Sequence, residues 1–526
     1  MSSQVDQENQ NVNPVLTADQ ALSILKPFDF QDTKKASKNL QSIAGDSVES
    51  SHFSEIIEET LSALSEAPAP DQALNNFERF TKTTFSKTHL FSYLKASPKT
   101  LHQAAYVFGG SPFLSDILIR NPEYFYWIFN PKRLEQSKRK NDYRQELVAA
   151  CRLLQTKQNQ LDMLRIFKRK EILRIGVRDL LGITDVNETV RELSSLADVL
   201  IDRAYSICEK TMRQKYGRPQ PDGRSKAWEG SGFSVLALGK LGSMELNFSS
   251  DVDLIYLYAS RSGRTRGVKG INRIENADYF ERLSKSITSA LNEKSGQGYV
   301  YRVDLRLRPE GDKGPIALSL EGCRLYYAKR GEIWEGLALL RARAVAGDRE
   351  LGKDFLTMAS DFTNKMAFER DGRRAVRQCK EKIDEQLRQN NHLHRDIKRG
   401  CGGIREVEFL AQSLQLCFEK ASITNRKIRI IEVIKRLRND KRLSKESASQ
   451  LLAAYRFLRD LENKLQMAHD QQTHLIPTDT EEIAVLARKM GFVSSKASEQ
   501  FMKTYRFHTN RVHQIYNDFF YANAAI

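Results

Sequence analysis

GKLGSMELNFSSDVDLIYLY, residues 239–258, sets two glycines, Gly239 and Gly242, just after an apolar run and two aspartates, Asp251 and Asp253, at the start of the next. Glycine lets a backbone turn tightly and approach a phosphate group closely. Ser249 and Ser250 add hydroxyls and backbone N–H groups beside that turn. Side chains alternate across a strand, so Asp251 and Asp253 share one face. Two carboxylates with apolar neighbours behind them make a poor core and a good hard-cation site, because Mg²⁺ takes oxygen ligands, commonly one or two carboxylates plus substrate phosphates.

A later segment, YVYRVDLRLR at residues 299–308, reads as a strand with Tyr299, Tyr301, Val303, Leu305 and Leu307 on one face and Asp304 among arginines on the other. Beside the Asp251 strand, Asp304 supplies a third carboxylate. Arg306 and Arg308 then offer guanidinium forks that match phosphate oxygens. A lone D-x-D also suits a turn or a solvated edge, and an arginine-rich strand also suits an exposed sheet face holding ion pairs. The combination carries the assignment: a glycine turn between strands, D-x-D on the second, and a later Asp among arginines point to nucleotidyl transfer, with Gly239, Lys240, Gly242, Ser249 and Ser250 seating phosphates.

Outside this core the periodicity is helical. In LDMLRIFKRKEILRIGVRDLLGI, Leu161, Leu164, Phe167, Ile172, Ile175 and Leu180 recur at helical spacing. Asp185 with Glu188 three residues on predicts the next helix start. GRPQPDGRSKAWEGSG, residues 217–232, reads as a turn-rich connection. The strands expected are 233–238, 252–258 and 299–308. Residues 1–50 are polar and read as a loosely ordered tail, 51–230 as a helical region, 231–370 as the nucleotidyltransferase core and 371–526 as a helical bundle. The expected fold is therefore mainly α with an embedded α/β core.

Weaker candidates lie on the flanks. In GCGGIREVEFLAQSLQL, Arg405, Glu408, Gln412 and Gln415 form one polar stripe, which suits either a nucleotide or solvent. Trp334, Glu335, Arg341 and Arg343 read as packing residues of a helix. His469 and His474 read as satisfied histidines rather than a metal pair.

Composition narrows the class. Hydrophobic residues make up 40% and charged residues 28%, enough for a sizeable core in a chain of 526 residues, which predicts two to four domains. No apolar run approaches the roughly 18 residues of a membrane span, and MSSQVDQENQNVNPV lacks the order of a signal peptide. A cytoplasmic location is the expectation. The six cysteines are scattered singly, without a C-x-x-C pair, which argues against a disulfide framework or zinc site. The net charge of +17 permits a polyanionic partner but selects none.

Five segments in order carry a resemblance: GKLGSMELNFSSDVDLI, YRVDLRLRPEGDKGPIALS, WEGLALLRARAVAGD, GGIREVEF and KLQMAHDQQTHLIP. They resemble the motifs of the glutamine synthetase adenylyltransferase / adenylyl-removing enzyme family, and the likeness extends upstream through IFKRKEILRIGVRDLLGITDVNETVRELSSLAD. The resemblance implies a polymerase-β-type nucleotidyltransferase core embedded in helices, Mg²⁺ as cofactor, ATP, ADP and phosphate as small ligands, and glutamine synthetase as protein substrate. Asp251 and Asp253 match the family's catalytic aspartates, and Asp304 matches the third carboxylate. Regulation by the signalling protein PII is a family feature.

Typical members carry two copies of the core, one attaching AMP to a tyrosine and one removing it; one copy is found here, so a separate chain could carry the other half. ELNFSSD, RPEGDKGP and GGIREVEF look more like the N-terminal, adenylyl-removing half. The expected reaction is phosphorolytic removal of AMP, with the attaching direction as the alternative. An RNA nucleotidyltransferase is a more distant reading, recognisable by salt-dependent RNA affinity; nucleic acid is not the expected partner. A non-catalytic regulatory binder is the third, and the intact Asp251, Asp253 and Asp304 argue against it.

Overall fold

The computed structural model describes residues 16–222, 231–269, 271–365, 372–418 and 429–522. The architecture is a small mixed sheet set between two helical regions, so the chain is mainly α with an embedded α/β core. Five strands build the sheet: β1 (Phe233–Ala237), β2 (Val252–Tyr258), β3 (Val303–Asp304), β4 (Ala317–Ser319) and β5 (Arg343–Gly347). Their order is β3-β2-β1-β5, with β4 on the same edge of β2 as β3. β1 runs antiparallel to β2 and β5, and β2 runs parallel to β3 and β4.

The sheet is buried on both faces, and the alternation of β1 and β2 divides it. Phe233, Val235, Ala237, Leu254 and Tyr256 pack into the core shared with the N-terminal helices. Leu236, Leu238, Ile255 and Leu257 pack on the other face against Cys323, Tyr327 and Phe355. A separate core, built on Val407, Leu410, Leu451, Leu458 and Phe501, holds the C-terminal helices together.

Two long helices back the sheet. Lys157–Leu180 is capped by Thr156, and Val186–Tyr216 by Asp185, whose side chain accepts from the Glu188 N–H. Leu161, Leu164, Phe167, Ile172, Ile175 and Leu180 are all buried. The second helix stops at Gly217, where φ is +73° and a side chain would be strained. Between the two helices Arg174 and Arg178 both pair with the buried Glu192, at 2.9 and 2.6 Å.

Three expectations need correction. Residues 16–50 are not a loose tail: helices Ala18–Leu25 and Thr33–Ala44 bury Leu25, Leu40 and Ile43, apolar positions sparse enough to make the segment read as polar. The ten-residue strand at 299–308 is only two residues long, because β4 takes the rest of that edge of β2. Val300 and Tyr301 are consecutive and both buried, so the two faces do not separate there. Part of the 217–232 connection, and the first 15 residues, lie outside the described residues. Among the described residues no helix is long and apolar enough to cross a membrane.

Candidate active site

The turn after β1 folds as a short helix, Gly239–Gly242. Gly239 adopts φ +54°, and a Cβ there would collide with Asp253 Oδ2, so the glycine makes room for the carboxylate. A Cβ at Gly242 would collide with the Arg341 carbonyl. Asp253 is the second residue of β2 and sits in register with Asp304 on β3. Asp251 immediately precedes β2. The three carboxylates converge on one cleft of about 660 Å³.

Their electrostatics differ. Burial, then the neighbouring Asp304 and Asp251, raise Asp253 to about 6, with Lys398 opposing. Asp253 forms no ion pair among the described residues, whereas Asp251 accepts from Arg302 Nε at 2.6 Å and Asp304 from Arg306 Nη2 at 2.5 Å. Burial works against Asp304, but the Arg306 guanidinium holds it below the usual carboxylate range. An unpaired carboxylate between two others, with oxygen donors only, fits a divalent hard cation. Asp251, Asp253 and Asp304 are the residues able to hold it.

The cleft also carries cations, two of them from beyond the sheet. Lys240, Arg341, Lys398 and Arg405 all line the cleft. Burial pulls Lys240 down to about 7 although Glu462 Oε1 lies 2.6 Å from its Nζ. Arg341 is buried, donates to Glu408 at 3.2 Å, and keeps its Nε and Nη2 without a partner. Burial opposes ionisation of Glu408, yet Arg341 and Arg405 win and hold it at about 2. Gln412 donates to the Leu337 carbonyl at 2.9 Å. The stripe Arg405–Glu408–Gln412 therefore faces the cleft and not bulk solvent. Gln415 is buried and does not line it.

Several predicted site residues lie elsewhere. Ser250 lines the cleft, but Ser249 is buried behind it, where its carbonyl accepts from Arg302 Nη2 at 2.8 Å. Arg306 stands exposed at the mouth, bidentate on Asp304. Arg308 turns inward: it donates to the carbonyls of Leu305, Gly314 and Pro315 and braces the RPEGDKGP loop. Its phosphate role is thereby replaced by a structural one. Glu335 and Arg343 pack, Glu335 capping its helix and Arg343 gripping Asp198 with both Nη atoms, but the expected helix ends at Leu339 and Arg343 opens β5. Trp334 and Arg341, expected only to pack, line the cleft. His474 Nδ1 lies 3.3 Å from Glu462 Oε1 at the cleft wall; the His469 side chain lies outside the described residues.

Residues 101–358 match the family model for glutamate-ammonia ligase adenylyltransferase, and residues 373–520 match that for GlnD PII-uridylyltransferase. A bifunctional glutamine synthetase adenylyltransferase/adenylyl-removing enzyme of Nitrosococcus oceani is 34% identical over 448 residues, 85% of this chain and 45% of the relative. The chain is similar to this family over most of its length. Proteins of the same name from Thioalkalivibrio sulfidiphilus and Hahella chejuensis are 36% and 35% identical, over 73% and 76% of this chain and 39% and 41% of their own lengths. The chain thus spans less than half the length of these adenylyltransferase/adenylyl-removing relatives.

The boundary between the two matches, near residue 365, separates the sheet from the C-terminal helices. Yet Lys398, Arg405 and Gln466 sit beyond it and line the cleft, and Glu462 holds Lys240 from behind. The Arg405 stripe gave a local signal and Gln466 falls within KLQMAHDQQTHLIP, whereas Lys398 and Glu462 are single polar residues, and the Lys240 partner of Glu462 lies over two hundred positions away in sequence.

Proposed function

We propose that this chain is a Mg²⁺-dependent nucleotidyltransferase that removes AMP from the adenylylated tyrosine of glutamine synthetase by phosphorolysis. The observation that carries the reading is one cleft lined both by Asp251, Asp253 and Asp304 and by Lys240, Arg341, Lys398 and Arg405. Such a pairing suits a phosphoryl centre, whose oxygens gather charge as the displacement proceeds. A divalent ion held by the three aspartates would neutralise those oxygens and align the attacking and leaving groups.

The remaining roles belong to the chain. Lys398 and Arg405 orient the attacking inorganic phosphate. The partnerless Nε and Nη2 of Arg341 donate to the oxygens of the AMP phosphate. Trp334, Leu337 and Ala338 give the cleft an apolar, aromatic side for the adenine. A phosphate oxygen bonds to the phosphorus of tyrosyl-AMP, the bond from phosphorus to the tyrosine oxygen breaks, and the phenolate takes a proton. ADP and free tyrosine leave. The motifs ELNFSSD, RPEGDKGP and GGIREVEF support this direction over attachment. The match of residues 373–520 supports PII as a regulatory partner.

The test is to incubate the protein with adenylylated glutamine synthetase, phosphate and Mg²⁺, and in parallel with the unmodified enzyme and ATP. Phosphate-dependent ADP in the first arm is expected. Modified subunits in the second arm alone would reverse the direction, and turnover that survives Asp251→Asn with Asp253→Asn would overturn the site.

A further inference from the structure

A second cavity, of about 710 Å³, lies between the N-terminal helices and the C-terminal bundle, reached by Asp71 and Pro112 on one side and Leu465, Leu486 and Lys489 on the other. That volume suits a small-molecule site. It shares a wall with the catalytic cleft. The non-helical segment 471–477 pairs with 395–397: the Ile397 N–H donates to the His474 carbonyl at 2.9 Å, the Ile476 N–H to the Arg395 carbonyl at 3.0 Å, and Asp396 bridges antiparallel to Leu475. Side chains alternate across such a ribbon. Gln472, His474 and Lys398 line the catalytic cleft, while Thr473, Leu475 and Arg395 line the second cavity.

Five carboxylates (Asp29, Asp71, Asp479, Glu481 and Glu482) and four cations (Arg395, Lys464, Arg488 and Lys489) line this cavity, and Lys464 is paired with Asp179. Arg395, Arg488 and Lys489 form no ion pair among the described residues. Arg395 spends its Nε and Nη2 on the Ile476 carbonyl, at 3.0 and 2.7 Å, which fixes the ribbon, and it lines the cavity. Arg488 Nε is buried without a partner. The acids nearby are engaged or outside: Asp71 and Asp479 cap backbone N–H groups, and Asp29, Glu481 and Glu482 are exposed at the rim. Leu465, Leu475 and Leu486 supply apolar surface between the cations.

We infer that this cavity binds a small organic anion with an apolar body, and that its occupancy is felt across the ribbon at Gln472 and His474. A ligand packed on Thr473 and Leu475 restrains the same backbone that presents His474 to the cleft, and such coupling acts in both directions.

The probe is 8-anilinonaphthalene-1-sulfonate, an aromatic sulfonate, titrated into the full chain by fluorescence, with hydrogen exchange of the 471–477 amides followed by mass spectrometry. Saturable binding is expected, weakened at least tenfold by Lys489→Glu, which reverses a wall charge, and by Leu486→Trp, which fills the space. Slower exchange at 471–477 should accompany binding in the wild type and in Asp253→Asn alike. Neither readout needs turnover, so failure here leaves the proposed reaction untouched. Equal affinity in wild type and a Lys489→Glu variant that circular dichroism shows to be folded, or protection confined to other segments, would overturn the inference.

Discussion

Asp253 on β2 and Asp304 on β3 are register partners across a parallel strand pair only two residues long. The short ladder therefore exists where it sets two acid side chains next to each other, and the repulsion between them is part of what lifts Asp253 to about 6. Replacing Asp253 by Asn removes that strain together with a cation ligand. Turnover should fall by at least about 100-fold, since even an outer partner of a metal ligand is worth 10–100-fold. The melting temperature should hold or rise, because the buried charge is unfavourable to the fold without a cation. Activity assay and calorimetry on the one variant check both; a lower melting temperature would contradict the account.

Gly239→Ala tests the room made for that carboxylate. At φ +54° the added methyl costs about 1–2 kcal/mol from the left-handed backbone alone, and it also meets Asp253 Oδ2. Weaker Mg²⁺ binding by isothermal titration, together with a lower urea midpoint, is the expected pair of results.

Two arginines that look alike in sequence should separate in behaviour. Arg308→Ala strips donors from three loop carbonyls and should destabilise the protein by about 1–3 kcal/mol, with KM for phosphate nearly unchanged in the folded fraction. Arg405→Ala, at the cleft wall, should raise KM for phosphate about tenfold or more, the loss of one charge-assisted bond, and should also lower the unfolding midpoint, because Arg405 helps to hold the buried Glu408 ionised. Steady-state kinetics and denaturant titration distinguish the two patterns.

His513 gives a pH signature far from the cleft chemistry. Its hydrogen bond to Glu406 raises it above its ordinary 6.5, against burial and against the nearby Lys380, with Asp384 assisting. A raised folded value means that the stabilisation is fully present below 6.5 and fades as pH climbs through the folded value. The stability gap between wild type and His513→Gln should thus be larger at pH 6 than at pH 9. Urea unfolding at both pH values measures it, and a gap that widens with pH would exclude the pairing.

How much of this was legible beforehand follows from the range of the interactions. β1 and β2 could be read from apolar runs bounded by turn residues, and Asp251 with Asp253 from their spacing at the entry to β2. YVYRVDLRLR misled because a period of two is necessary for a strand but does not supply a neighbour: β3 and β4 share one edge of β2, and Arg308 found carbonyls closer than any phosphate. Lys398 and Glu462 left no trace in the sequence. Their roles arise only when helices folded on a separate core close over the sheet.

That closure has a further consequence for how such proteins can be divided. Lys240 reaches Glu462, Arg341 reaches Glu408, Asn247 reaches Asn463, and Arg459 grips the Glu245 carbonyl. Each of these links spans the seam between the two family matches. An excised fragment ending near residue 365 would keep its aspartates but forfeit Lys398 and Arg405, two of the cleft's cations, and a chimera joined there would have to bring a bundle with the same four sockets. For recombination, natural or engineered, the two matched segments behave as one indivisible cassette.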